Sequence, residues 1–258
     1  MEFVTLLFMG VMIGFVLLLP VFIRLRGMLQ RRVIDNDERQ LALIASRLGF
    51  KIYKRSPGNP TPSAYERLSA SLQLAFRDGT SLRSLVEGDG WMCGIINSSG
   101  ADSRENQGGR PFTIFMRVLN HPSPHLYFDN KYNGDAFKRE LPAMLDNAEL
   151  VNYEAFVHDR FRLYAPQGYH IDALVIAAPD VLDVISNENQ GADIEFLGNQ
   201  LYLVFPYRAD LSDNIENWVV SSEKIAKAVD DNLSRYRDSR RVSQYEPIGY
   251  SGKRLTKH

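Results

Sequence analysis

The chain has 258 residues, 24% of them charged and 45% hydrophobic, the composition of an ordinary folded protein of one or two domains. Its 30 Lys+Arg against 31 Asp+Glu leave a formal charge of -1, which excludes the overall basic balance of a nucleic-acid binder. The single cysteine, Cys93, excludes an internal disulfide framework and any zinc site built from several cysteines.

The totals conceal a segregation of charge. Residues 1–23 carry one charge, Glu2, and residues 24–34 carry four arginines and no acid. Residues 35–234 hold 19 basic against 28 acidic groups, a net of -9, and residues 235–258 hold seven basic against two acidic, a net of +5. Phe3 to Ile23 has no ionisable side chain and is long enough, as a helix, to cross a hydrocarbon core of about 30 Å. Inside such a core the backbone must satisfy itself, so a helix is the expectation. Met1-Glu2 is a poor n-region and Pro20-Val21-Phe22-Ile23-Arg24-Leu25 a poor cleavage site, which favours an uncleaved anchor over a signal peptide.

Arg24, Arg26, Arg31 and Arg32 follow the span and no basic residue precedes it, so the positive-inside rule places the N-terminus outside and the body in the cytoplasm. The same arginines are the expected contacts with anionic headgroups. Gly10 and Gly14 form a GxxxG through which two copies could pair as a homodimer, although Gly is also simply frequent in membrane helices.

Along the body, Asp35 and Glu38 give a carboxylate form of a capping box; Leu41, Ile44, Ala45 and Leu48 keep helical spacing up to Gly49. Residues 50–55 fit a short strand, and the Pro-rich run 56–63 a loop. Tyr65, Leu68, Leu72 and Phe76 fit a helix. Residues 82–87 and 91–97 predict a hairpin around Gly88-Asp89-Gly90, and the polar stretch 98–110 a surface loop. Two further strands are expected at 112–119 and 125–128, separated by Asn120-His121-Pro122-Ser123-Pro124, with a weaker helix at 135–145.

Residues 161–164 read as a strand and Pro179 as the first residue of a helix through Ile185. Residues 193–196 and 200–205 read as a hairpin about Gly198-Asn199. A long amphipathic helix, capped by Ser212 or Asp213, then carries Ile215, Trp218, Val219, Ile225, Val229, Leu233 and Tyr236 on one face. The expected fold class is therefore α+β: an N-terminal transmembrane helix, then one mixed, mostly antiparallel sheet with flanking helices. The divisions are an anchor at 1–23, a basic collar, short helix and linker at 24–63, an α+β cytosolic domain at 64–237 and a basic tail at 238–258.

Phe156, the run Phe161-Arg162-Leu163-Tyr164-Ala165-Pro166, the run Asp172-Ala173-Leu174 through Pro179-Asp180-Val181-Leu182, and Gln200-Leu201-Tyr202-Leu203 together resemble a block in uncharacterised bacterial membrane-anchored proteins with a domain of unknown function. The resemblance spans about 50 residues, rests on apolar and turn positions, and implies a bacterial, membrane-tethered protein without implying any catalytic residue.

Candidate chemistry is sparse. Cys93 sits in an apolar strand with no neighbouring cation, the setting of an inert thiol. His121 and His125 have i, i+4 spacing, but Pro122 and Pro124 stand between them and argue against a helix that would align them on a metal. Gly88-Asp89-Gly90 and Gly94 match neither a P-loop nor a dinucleotide fingerprint. Asp180 with Asp183 reads as a helix-start complement, and Asp230 with Asp231 as solvated surface. No catalytic, cofactor or metal residue is assigned and no cofactor is expected. The reading that follows is a membrane-anchored domain that binds a protein partner. The alternatives are a tethered hydrolase drawing on His158, His170, Asp172 and Cys93, or a module for anionic lipid surfaces using the basic tail.

Overall fold

The computed structural model describes residues 42–54, 67–68, 81–98, 110–133, 148–152, 160–189, 191–205 and 209–236. Gly10, Gly14, the span 3–23, the arginine collar, the helix expected at 135–145 and the basic tail lie outside the described residues. Among the described residues no helix is long and apolar enough to cross a membrane. The chain divides into two compact units, Met1–Leu48 and Gly49–His258. In the first, residues 42–48 are helical and the Ser46 hydroxyl donates back to Leu43 O at 2.8 Å.

The second unit is α+β, built on one sheet of seven strands whose pairings are all antiparallel. In chain order the strands are β1 (Lys51–Lys54), β2 (Ser81–Gly88), β3 (Trp91–Ser98), β4 (Arg110–Asn130), β5 (Ala148–Val151), β6 (Phe161–Pro166) and β7 (Asp193–Phe205). Among the described residues the helices with defined bounds are α1 (His170–Ile176), α2 (Pro179–Glu188) and α3 (Leu211–Leu233), and residues 67–68 are also helical. The expected β2–β3 hairpin is present. Gly90 turns it at φ +68°, and Gly88 lets the Trp91 indole lie against the backbone, where a Cβ would sit 2.1 Å from the ring.

The two strands expected at 112–119 and 125–128 are one long strand, β4, and the hairpin expected at Gly198-Asn199 is instead the middle of a second long strand, β7. These two pair with each other from Thr113↔Phe205 to Phe128↔Ile194. The proline-rich stretch that suggested a loop is a bulge within β4. Seven residues of β4 lie between the Val118↔Gln200 and Leu126↔Phe196 pairs, against three of β7, so four residues are surplus. On its other edge β4 pairs with β3 before the bulge and with β6 after it, so the β4–β7 ribbon joins β1–β2–β3 to β6–β5.

Alternation along the strands gives the proximal half of this sheet two apolar faces. One carries Leu85, Met92, Ile96, Ile114, Met116, Tyr202 and Val204, on which Leu68 is buried. The other carries Phe115 and Phe205, on which α3 places Trp218; its ring stacks on Phe205 at 4.7 Å and meets Phe115 edge-on at 6.5 Å. The N-cap of α3 is Asp210, two residues before Ser212 and three before Asp213, because its carboxylate accepts from the Ser212 backbone N–H. Beyond the bulge, Phe128 packs edge-on against Phe161 and Phe196. After the Gln167-Gly168 turn, the apolar residues 173–176 belong to α1, which buries Ala173 and Ile176 and packs beside α3.

Candidate functional site

The polar groups that the sequence singled out do not converge. Cys93 is fully buried, and burial pushes its thiol pKa far above the ordinary value, so the nucleophilic thiolate is suppressed. His170 opens α1, and Asp172 two residues on accepts a hydrogen bond from the Tyr236 hydroxyl at 3.1 Å. His158 lies outside the described residues. His121 and His125 share a strand but not a site: His121 is half-exposed on the bulge beside Asp230, and His125 is fully buried against Glu195. Among the described residues no group of three His, Cys, Asp or Glu side chains is placed to hold a metal.

What the fold does assemble is a line of polar side chains on one face of the β4–β7 ribbon beyond the bulge. His125 Nε2 lies 2.7 Å from Glu195 Oε1, and neither side chain has any exposure. The Tyr127 hydroxyl donates to Asp193 Oδ2 at 3.0 Å; Asp193 Oδ1 accepts from the Asn130 backbone N–H at 2.8 Å and from Asn133 Nδ2 at 2.6 Å. Arg162, on β6, lies 3.7 Å from Asp129 Oδ2. Two tyrosines register this environment. Burial raises the Tyr202 pKa, with the Glu195 charge adding to it, and burial together with Asp129 raises that of Tyr164. His125 with Glu195 and Tyr127 with Asp193 meet each other's polar groups across strands, whereas Asp129 Oδ1 and Asn133 Oδ1 accept no hydrogen bond.

A second constellation joins α3 to β4. Before the bulge, Arg117 Nε donates to Ser222 Oγ at 2.8 Å and Nη2 to Val219 O at 2.9 Å. At the bulge, Asp230 accepts from the backbone N–H groups of Asn120 at 3.1 Å and His121 at 3.0 Å, and from Asn120 Nδ2 at 3.2 Å. Asp230 is therefore not the solvated surface residue its neighbour Asp231 is: it is 8% exposed and is a structural acceptor. The sequence offered one signal for it, an acid one position before Asp231 and one after Val229, on the edge of the apolar stripe.

The surface has two notable features. On α1, Ile171 is 73% exposed and Val175, one turn on, is 52% exposed; Leu150 on neighbouring β5 is 50% exposed. Between the antiparallel helices α2 and α3 runs an open groove of about 400 Å³, with Val184 and Ala228 among its lining and Asp180, Glu188, Lys224 and Asp231 around it. Lys224 and Glu188 close one end with a 2.6 Å ion pair, which holds the Glu188 carboxyl below its ordinary range.

No family model matches the chain, and no curated protein does. Among solved structures it is similar to the crystal structure of the mycobacterial trehalose monomycolate transport factor A, TtfA, at 8% identity and a TM-score of 0.49, over 75% of this chain and 93% of that one. Of the block singled out in the sequence, Phe156 lies outside the described residues, and the rest falls in β6, α1, α2 and part of β7. Its Leu163, Ala173, Ile176, Val181, Leu182, Leu201 and Leu203 are all core residues.

Proposed function

We propose that the chain is a single-pass membrane protein, N-terminus outside, whose α+β domain is held at the cytoplasmic surface to bind a protein partner. The anchor rests on the uncharged run 3–23 and the four arginines behind it. The observation that carries the binding role is the pair Ile171 and Val175: two branched apolar side chains one helical turn apart on a helix whose opposite face is already satisfied by Ala173 and Ile176. Against the hydrolase reading stand the burial of Cys93, which raises its pKa, and the separation of Cys93 on β3 from His170 and Asp172 on α1.

The test has two arms. Ser251→Cys in a Cys93→Ala background is labelled with a membrane-impermeant maleimide; labelling only after lysis supports the cytoplasmic placement, and labelling of intact cells overturns it. A photo-crosslinking residue at position 171 is then activated in cells. A discrete adduct, lost when Val175 is changed to Glu, supports docking on α1; an adduct pattern indifferent to Val175→Glu overturns it.

A further inference from the structure

The surplus residues in β4 are slack. A two-residue slip of the distal half of β4 along β7 would take up half of it. Side chains alternate with a period of two, so such a slip keeps each residue on the face it already occupies. Leu126 would move from opposite Phe196 to opposite Ile194, both buried and apolar. His125 would come directly opposite Glu195, and Tyr127 opposite Asp193, their present polar partners. Neither the apolar pattern nor those two polar pairs therefore separates the two registers.

Other contacts do. The Asp230 carboxylate holds the backbone N–H groups of Asn120 and His121, both inside the slack, and it does so from a buried position on α3. Asp193 adds a restraint at the far end of the strand, through the Asn130 backbone N–H at 2.8 Å and Asn133 Nδ2 at 2.6 Å; the Ser123↔Gly198 pair adds one between, and β6, paired with Tyr127 to Asn130, has to move with β4. We propose that Asp230 is a register latch: by fixing the length of the bulge from α3, it selects one of two alignments of the distal sheet that share the same apolar pattern and the same two polar pairs. The latch couples the C-terminal part of α3 to β4, β6 and everything the distal half carries.

Disulfide trapping in the full chain tests this. Directly opposed strand residues are about 4.5–5.5 Å apart at Cα, within reach of a disulfide, whereas those offset by two are about 7–8 Å apart and beyond it. In a Cys93→Ala background, Leu126→Cys with Phe196→Cys reports the observed register, and Leu126→Cys with Ile194→Cys the slipped one. With Asp230 intact the second pair stays reduced; with Asp230→Asn its oxidation rises at least tenfold. A second pair that remains reduced in Asp230→Asn overturns the proposal. Hydrogen exchange on Asp230→Asn without added cysteines gives an independent reading. A slip accelerates exchange over residues 119–130 and leaves 113–118 protected, whereas equal acceleration of both halves overturns the latch in favour of general loosening.

Discussion

The His125–Glu195 pair is the sharpest point at which the fold can be challenged. Both side chains are fully buried at a separation of 2.7 Å. Removing one partner takes the 2.7 Å contact from a side chain that stays fully buried, a loss of about 3–5 kcal/mol for a buried pair. For a domain whose total stability is about 5–15 kcal/mol, that is a large fraction. At about 2–4 °C per kcal/mol for a domain of this size, His125→Leu or Glu195→Leu alone should lower Tm by about 6–20 °C. The double variant should cost far less than the sum of the two, because two apolar side chains of similar volume replace a mutually satisfied polar pair. The assays are thermal and urea unfolding at neutral pH followed by tryptophan fluorescence, with Trp91 on β3 and Trp218 on α3 both buried. Additive losses would refute the reasoning, as would single losses below about 1 kcal/mol, which are what an exposed pair would give.

Cys93 should fail to react with an aromatic disulfide reagent in the native chain and react fully in concentrated guanidinium, since burial both raises its pKa and excludes the reagent. Gly90→Ala should cost about 1 kcal/mol because of its φ of +68°, and Gly88→Ala more, because the new Cβ displaces Trp91 from its stack on Phe115; unfolding curves rank the two. Glu188 has a depressed pKa, so its contribution to stability is present above the ordinary carboxylate value of about 4.3 and is lost as pH falls through the lower folded value. Lys224 is 56% exposed, which limits that contribution to about 1 kcal/mol or less; Lys224→Met should flatten the stability profile below about pH 4.5, and an unchanged acid limb would show the pair to be idle.

Local chemistry made several elements legible. The Gly88-Asp89-Gly90 turn, Pro179 at the start of α2 and the apolar stripe of α3 each announce their structure within a few residues. The two long strands escape a local reading for a common reason. Prolines and a Gly-Asn dipeptide normally interrupt a strand, and only the pairing of β4 with β7 over most of their lengths turns one interruption into a bulge and the other into continuous strand. β5 was missed because Ala148–Val151 is too short to show a period and is identified only by its pairing with β6.

The polar network was illegible for a deeper reason. His125 and Glu195 are 70 residues apart, Tyr127 and Asp193 are 66 apart, and Asp230 reaches Asn120 across 110. Each of these residues, taken singly, matches a surface strand or a solvated helix. Yet polar residues at alternate positions of two strands must either face water or find one another. On β4 these are His125, Tyr127 and Asp129, and on β7 they are Asp193 and Glu195. Read separately, each strand looks amphipathic with a wet side. Brought side by side in the register that Asp230 holds, the two wet sides become a buried line in which His125 meets Glu195 and Tyr127 meets Asp193.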